Sequence, residues 1–177
     1  MAIPSSGNQS VTVFYWAKDV GHIAVLLGNG TYVSHVPDSK GSKTRMGTRT
    51  DVPNFSGTLI VNRCQTLRFR TLAEDKVMFG GEGESLKLPA KFIAFNIEQA
   101  ARGWLLASAP DEPPLHGPLP YYQLADWQKG AGDRQQCAST TARILAAGLT
   151  LESQDIIKKI LAHFAPGPLF AYLKTLA

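Results

Sequence analysis

The sequence predicts an α+β fold, with an antiparallel sheet of N-terminal strands packed against C-terminal helices. Two observations carry that expectation. β-branched and aromatic residues crowd the first third of the chain, and Asn29-Gly30 stands between two apolar runs as a hairpin signal. Beyond Asn96 the apolar residues recur at helical rather than alternating spacing. No internal repeat and no second set of elements is visible, so residues 1–177 read as a single domain.

Val11-Thr12-Val13-Phe14-Tyr15-Trp16 has the composition of a first strand. The segment from His22 to Leu27 is nearly all apolar after its histidine, as suits a strand covered on both faces. Asn29-Gly30 then reverses the chain, with both central residues of the tight turn expected at positive φ. Residues 31–35 return antiparallel and Pro37 ends them. Residues 38–55 are rich in Ser, Gly, Lys and Thr and read as a long surface loop. Residues 58–62 form a further strand, which 66–69 extend or follow. Gly80-Gly81-Glu82-Gly83-Glu84 is a turn-rich break, and no Gly-Lys-Ser/Thr follows to make it a phosphate loop. Residues 91–95 read as a strand, after which Asn96 caps a helix over 97–107 with Glu98 in its first turn. A Pro-rich connector over 109–120 leads to a short helix over 121–129, anchored by Tyr122, Leu124 and Trp127. The run from Cys137 to Ala147 is a strong helix closed by Gly148. A helix over 151–165 follows, with Ser153 as its cap and Ile156, Ile157, Ile160, Leu161 and Phe164 on one buried face. Pro166-Gly167-Pro168 breaks the chain before a last helix over 169–176.

Composition narrows the function classes. Hydrophobic residues at 44% and charged residues at 18% describe an ordinary globular chain, not a disordered one. The net charge of +4 is concentrated nowhere except in a loose basic stretch over 40–49, which reads as a solvated loop. Without aromatic-basic interleaving or a recognised motif, nucleic acid is not an expected partner. His22, His35, His116 and His163 lack metal-ligand spacing, so neither a metal nor another cofactor is expected. Two cysteines, Cys64 and Cys137, do not make a disulfide scaffold, and reduced thiols are the expectation. The first ten residues have no apolar signal core, and no apolar run nears the roughly 18 residues of a membrane span. The expected product is a cytoplasmic polypeptide without a signal peptide, exported, if at all, by a route that reads none.

The chemistry-bearing residues are Cys137 and His22. A thiol with an ordinary pKa of about 8.5 is mostly protonated at neutral pH and attacks well only as thiolate. The unpaired N–H groups and dipole of a helix N-terminus favour the anion, and a neighbouring imidazolium favours it further. Cys137 begins a helical pattern after Gly130-Ala131-Gly132-Asp133, and His22 opens a strand. Each residue alone also reads as an ordinary core position. Together they suit a nucleophile and its acid–base partner, with the Cys137 backbone N–H as one oxyanion donor. A third polar group normally sets the tautomer of such a histidine. The return strand offers Ser34 and His35, one on each face of the sheet, so only one of them can lie beside His22. Cys64, at a strand end, reads as inert.

Two segments carry a family resemblance. Gly21-His22-Ile23-Ala24-Val25-Leu26-Leu27 with Gly30-Thr31-Tyr32-Val33-Ser34-His35-Val36-Pro37 resembles the His-bearing hairpin of NlpC-type papain-fold enzymes. Gln136-Cys137-Ala138-Ser139-Thr140-Thr141-Ala142-Arg143 resembles their nucleophile helix, placed here after the histidine. That order is similar to the circularly permuted branch, which includes lecithin:retinol acyltransferase-like proteins and bacterial domains found in secreted toxin or type VI effector contexts. The likeness spans most of residues 11–148. It implies a permuted papain-like fold with Cys137 as nucleophile and His22 as base. At the position matching Ser34 the family commonly carries His. Either Ser34 orients His22, or a bulge brings His35 in. Before the nucleophile these domains often have Asn, and this chain has Gln136.

The resemblance implies a thioester intermediate with two outcomes. Water attack gives an amidase, peptidase or esterase; attack by another alcohol or amine gives an acyltransferase. Acyl-lipid and peptide substrates both remain open, as does an antibacterial effector role with an immunity protein or a secretion-system component as partner. Phe14, Tyr15, Trp16, Tyr121 and Tyr122 suit an acyl chain or an ordinary core. The alternative is a papain-like scaffold without catalysis that serves as a binding or adaptor module.

Overall fold

The β-branched and aromatic runs of the N-terminal half pair into one antiparallel sheet. The computed structural model describes residues 9–19, 21–37, 57–62, 71–106, 121–122, 134–135 and 137–177. Strands β1 (Val11–Trp16), β2 (His22–Leu27), β3 (Tyr32–Pro37), β4 (Gly57–Asn62) and β5 (Glu84–Lys87) lie in the order β4-β3-β2-β1-β5. The helices are α1 (Leu72–Phe79), α2 (Ala94–Leu106), α3 (Cys137–Ala147), α4 (Gln154–Leu161) and α5 (Pro166–Lys174). None is long and apolar enough to cross a membrane.

Side-chain alternation gives the sheet two different faces. Val11, Val13, Ile23, Val25, Leu27 and Val33 point to one side, where they pack with Ile97 and Ala101 of α2, Ile144 and Leu145 of α3, Ile160 of α4 and Leu169, Phe170 and Leu173 of α5. Trp16, Ala24 and Tyr32 point to the other, where Leu72 and Phe79 of α1 cover them. This double cover is why β2 reads as an almost unbroken apolar run.

The β2–β3 turn departs from the expected two-residue form. Gly30 N–H donates to Leu27 O at 2.9 Å and Leu27 N–H to Thr31 O at 2.8 Å, which leaves a three-residue loop. Only Gly30 has positive φ there, at 88°, as in a turn closed by a glycine bulge. Asn29 earns its position differently: its Oδ1 accepts from Thr31 N–H at 3.0 Å and its Nδ2 donates to Glu98 at 2.7 Å, tying the hairpin tip to α2.

Other expectations shift in identifiable ways. Residues 91–95 are not a strand: Phe92 N–H closes a turn onto Pro89 O, Ile93 N–H donates to Gly148 O, and the helix starts at Ala94 with Asn96 inside it. Phe95, apparently part of an apolar strand, is 63% exposed. Tyr121–Tyr122 is a strand, β6, paired in parallel with β7 (Arg134–Gln135), as suits aromatic residues. Ser153 makes no side-chain cap, because Leu151–Ser153 winds into a 3-10 turn and leaves it without the extended backbone a cap needs. On α4, Ile160 is buried but Leu161 is 41% exposed. The last helix begins at Pro166, not Leu169, since a first-turn proline forfeits only an N–H that has no helical acceptor. The expected loop over 38–55, the strand over 66–69, Cys64, the connector over 109–120, the helical reading beyond Tyr122, and Gln136 all lie outside the described residues.

Neither α1 nor β5 was expected from periodicity. A reciprocal cap starts α1: the Thr71 hydroxyl accepts from Glu74 N–H at 3.2 Å, and the Glu74 carboxylate accepts from Thr71 N–H. Gly80 ends it in the left-handed region, and the loop to β5 then wraps the Trp16 indole, whose Nε1–H donates to Gly81 O at 2.7 Å. At Gly83, φ is +70° and an added Cβ would sit 2.8 Å from both Trp16 Nε1 and Tyr15 O. Gly30 has positive φ but open space around it. Gly83→Ala is therefore expected to lower the urea unfolding midpoint more than Gly30→Ala, with a loss above about 1 kcal/mol at Gly83. Equal losses at the two positions would remove the close approach to Trp16 as a constraint.

Candidate active site

β2 starts at His22, opposite Trp16 in the β1 register. His22 and Ala24 share a face, and Ala24 pairs with Ser34 across β3. Ser34 is thus the diagonal neighbour of His22 on that face. Its Oγ lies 2.9 Å from His22 Nε2. His35, one residue on, points to the opposite face and reaches α3 instead, with Nδ1 2.6 Å from Thr140 Oγ1. No bulge brings it beside His22.

Behind Ser34 stands a residue that motif reading missed. Asp75, on α1, is fully buried, and its Oδ2 accepts from Ser34 Oγ–H at 2.6 Å and from Tyr32 OH at 2.5 Å. The same oxygen is 3.4 Å from His22 Nε2. Because its own hydroxyl hydrogen is donated to the carboxylate, Ser34 Oγ accepts a hydrogen bond from His22 Nε2–H, so Nε2 carries hydrogen and Nδ1 is left on the other side of the ring. The one legible trace of this element is the Thr71-x-x-Glu74 capping box, which marks a helix start just before Asp75.

Cys137 is the first residue of α3, two positions after β7 ends, and its backbone N–H has no intrahelical acceptor. Ala138 and Ala142 on the buried side of α3 let the helix approach the sheet closely. Cys137 is buried and is among the groups that raise the His22 pKa. The two residues come from opposite faces of the sheet: Cys137 packs with the core that includes Ile23 and Val25, and His22 with the Trp16 side.

Electrostatics follow from this packing. Burial, the largest influence on His22, would lower its pKa; the hydrogen bonds to Asp75 and Cys137 and their negative charges outweigh it, so the net direction is up. Burial likewise pushes Asp75 up, yet the His22 hydrogen bond and charge, with the Ser34 and Tyr32 hydroxyls, hold it below the usual carboxylate value. The imidazole is stacked on Phe79 at 4.1 Å and 12°, and Trp16 tilts against it at 5.7 Å. These rings shield the pair from water on the α1 side. Beyond them Trp16, Phe79, Tyr15, Lys18 and Glu84 line an open cleft of about 340 Å³; Cys137 is not among its walls. No cluster of three His, Cys, Asp or Glu able to hold a metal occurs among the described residues.

Compared with known proteins, the chain matches no protein-family model, no curated protein and no solved structure.

The His22–Asp75 pair gives stability a defined pH dependence. The raised His22 value contributes stability that is fully present below the unfolded histidine value and is lost as pH rises through the higher folded one. The lowered Asp75 value contributes stability present above the unfolded carboxylate value and lost as pH falls through the lower folded one. Urea unfolding across pH should show both limbs in the native chain. Asp75→Asn should flatten them and lower stability, because Ser34, Tyr32 and His22 lose the buried carboxylate that they share. Unchanged pH dependence in that variant would mean that other groups set it.

Proposed function

We propose that this chain is a cysteine-dependent hydrolase or acyltransferase of permuted papain-like type, cleaving an amide or ester acyl bond through a thioester. The observation that supports it most is the buried His22 ring, held through Nε2 by Ser34 and Asp75, with a cysteine at a helix start among the groups that raise its pKa.

In this reading His22 takes the Cys137 proton, and the thiolate attacks the substrate carbonyl carbon. The resulting oxyanion is met by the Cys137 backbone N–H. Collapse expels the leaving amine or alcohol, which takes the proton back from His22 and leaves a thioester on Sγ. Water or a second alcohol or amine, deprotonated by His22, attacks that thioester; the acyl product departs and the thiol is restored. Asp75 stabilises the imidazolium in both halves, directly and through Ser34, as the third group of such sites does. Relative to the expected choice between Ser34 and His35, Ser34 becomes a relay and Asp75 the charge behind it.

Both an acyl-lipid and a cell-wall peptide fit this chemistry. The order of the motifs favours the permuted branch, with its bacterial effector members, and so a cell-envelope substrate, export independent of a signal peptide, and an immunity protein as partner. One observation favours a second reading, a binding module without turnover: Cys137 is 2% exposed and packs among apolar residues.

Incubating the protein with lipid and peptidoglycan extracts, with mass spectrometry of products, separates the two. Cys137→Ala and His22→Ala should each abolish product while remaining folded. Asp75→Asn should lower the rate by about two to four orders of magnitude. Full turnover in both of the first two variants would end the enzymatic reading. Absence of products from the native chain, with no acyl adduct trapped on Cys137, would favour the binding module.

A further inference from the structure

β3 places two consecutive polar residues on opposite faces, one bonded to the proposed base and the other to the helix that carries the proposed nucleophile. Ser34 grips the base from the α1 side. His35 reaches through the other face to Thr140, three residues after Cys137 and so on the same side of α3. We propose that His35 and Thr140 form the positioning pair that sets the Cys137 sulfur at its working distance from His22. The inference rests on the enzymatic reading above.

The pair is unusual where it stands. His35 and Thr140 are 2% and 1% exposed, in a layer where Val33, Val25, Ala138 and Leu145 make the neighbouring contacts. A valine at either position would fill that space without burying polar atoms, and a buried polar pair adds little net stability. It does add direction. Apolar contacts between α3 and the sheet change little when the helix slides or rotates slightly, whereas a 2.6 Å hydrogen bond between ring and hydroxyl tolerates little displacement. A misplacement of about 1 Å at reacting atoms can cost roughly a hundredfold in rate. Since Thr140 lies within one turn of Cys137, the bond acts where that displacement would matter.

The test reads Cys137 itself, not turnover. Peptide mass spectrometry distinguishes alkylation of Cys137 from that of Cys64, and iodoacetamide serves as the probe over a range of pH. In the native chain Cys137 should be alkylated faster than in His22→Ala on the acid side of that range. Thr140→Val, which replaces a hydroxyl with a methyl, and His35→Leu should each lower that acid-side rate about tenfold, the scale of a lost hydrogen bond near reacting groups. Thr140→Ser and His35→Asn, whose amide reaches the place of Nδ1, should restore it to within about threefold. The double variant His35→Leu with Thr140→Val should be no slower than either alone, as for partners in one interaction. Lowered melting temperatures with an unchanged pH profile would make the pair merely structural and overturn the proposal. If the native chain and His22→Ala share the same profile, there is no dyad to position, and both the enzymatic reading and this inference fail.

Discussion

A carboxylate with no exposure to water sits against one face of the sheet, and the local structure is arranged around the cost of having it there. An ionised Asp75 could not be buried alone. Hydroxyls from Ser34 and Tyr32, together with the His22 ring, supply Oδ2 with what water would have supplied, and they come from β2 and β3 while Asp75 comes from α1. One charge therefore connects three elements. It also orients the histidine: Nε2–H is turned towards Ser34 and Asp75, and Phe79 and Trp16 pack against the ring.

Much of this architecture is legible in the chain, and the exceptions have physical reasons. β1, β2 and β3 announce themselves because β-branched and aromatic runs leave few alternatives, and α3 because its apolar residues recur on one side up to Gly148. The division between Ser34 and His35 was implicit in strand alternation, but which of them met His22 depended on the Ala24–Ser34 register. Asp75 was illegible for a deeper reason. It is the buried residue of an eight-residue helix whose outer positions include exposed Val77 and Met78. Hydrophobic patterning looks for helices that bury apolar groups, and α1 is fastened by a charge. The strand expected over 91–95 failed from the other direction, since its apolar residues serve a turn and a helix start whose contacts are tertiary.

The sheet also acts as a partition. The helix-facing side is a dry apolar layer interrupted by the His35–Thr140 bond, and the α1 side gathers aromatic rings around an ion pair. In the proposed enzyme the base belongs to the second side and the nucleophile to the first, and each stands at the start of its element, His22 as the first residue of its strand and Cys137 as the first of its helix.

The order of the elements has a bearing on how the chain comes off the ribosome. The strands and α1 are synthesised first, yet the layer over Ile23, Val25 and Val33, begun by α2, is finished only when α3 and α5 follow, α5 bringing Leu169, Phe170 and Leu173. Tyr15 of β1 waits for Phe170, its stacking partner at 5.1 Å. A nascent polypeptide that lacks its final helices has a histidine and a carboxylate but no finished layer to hold them. Reactivity of the thiol, if Cys137 acts as proposed, would be withheld until α5 has been made and has closed that layer.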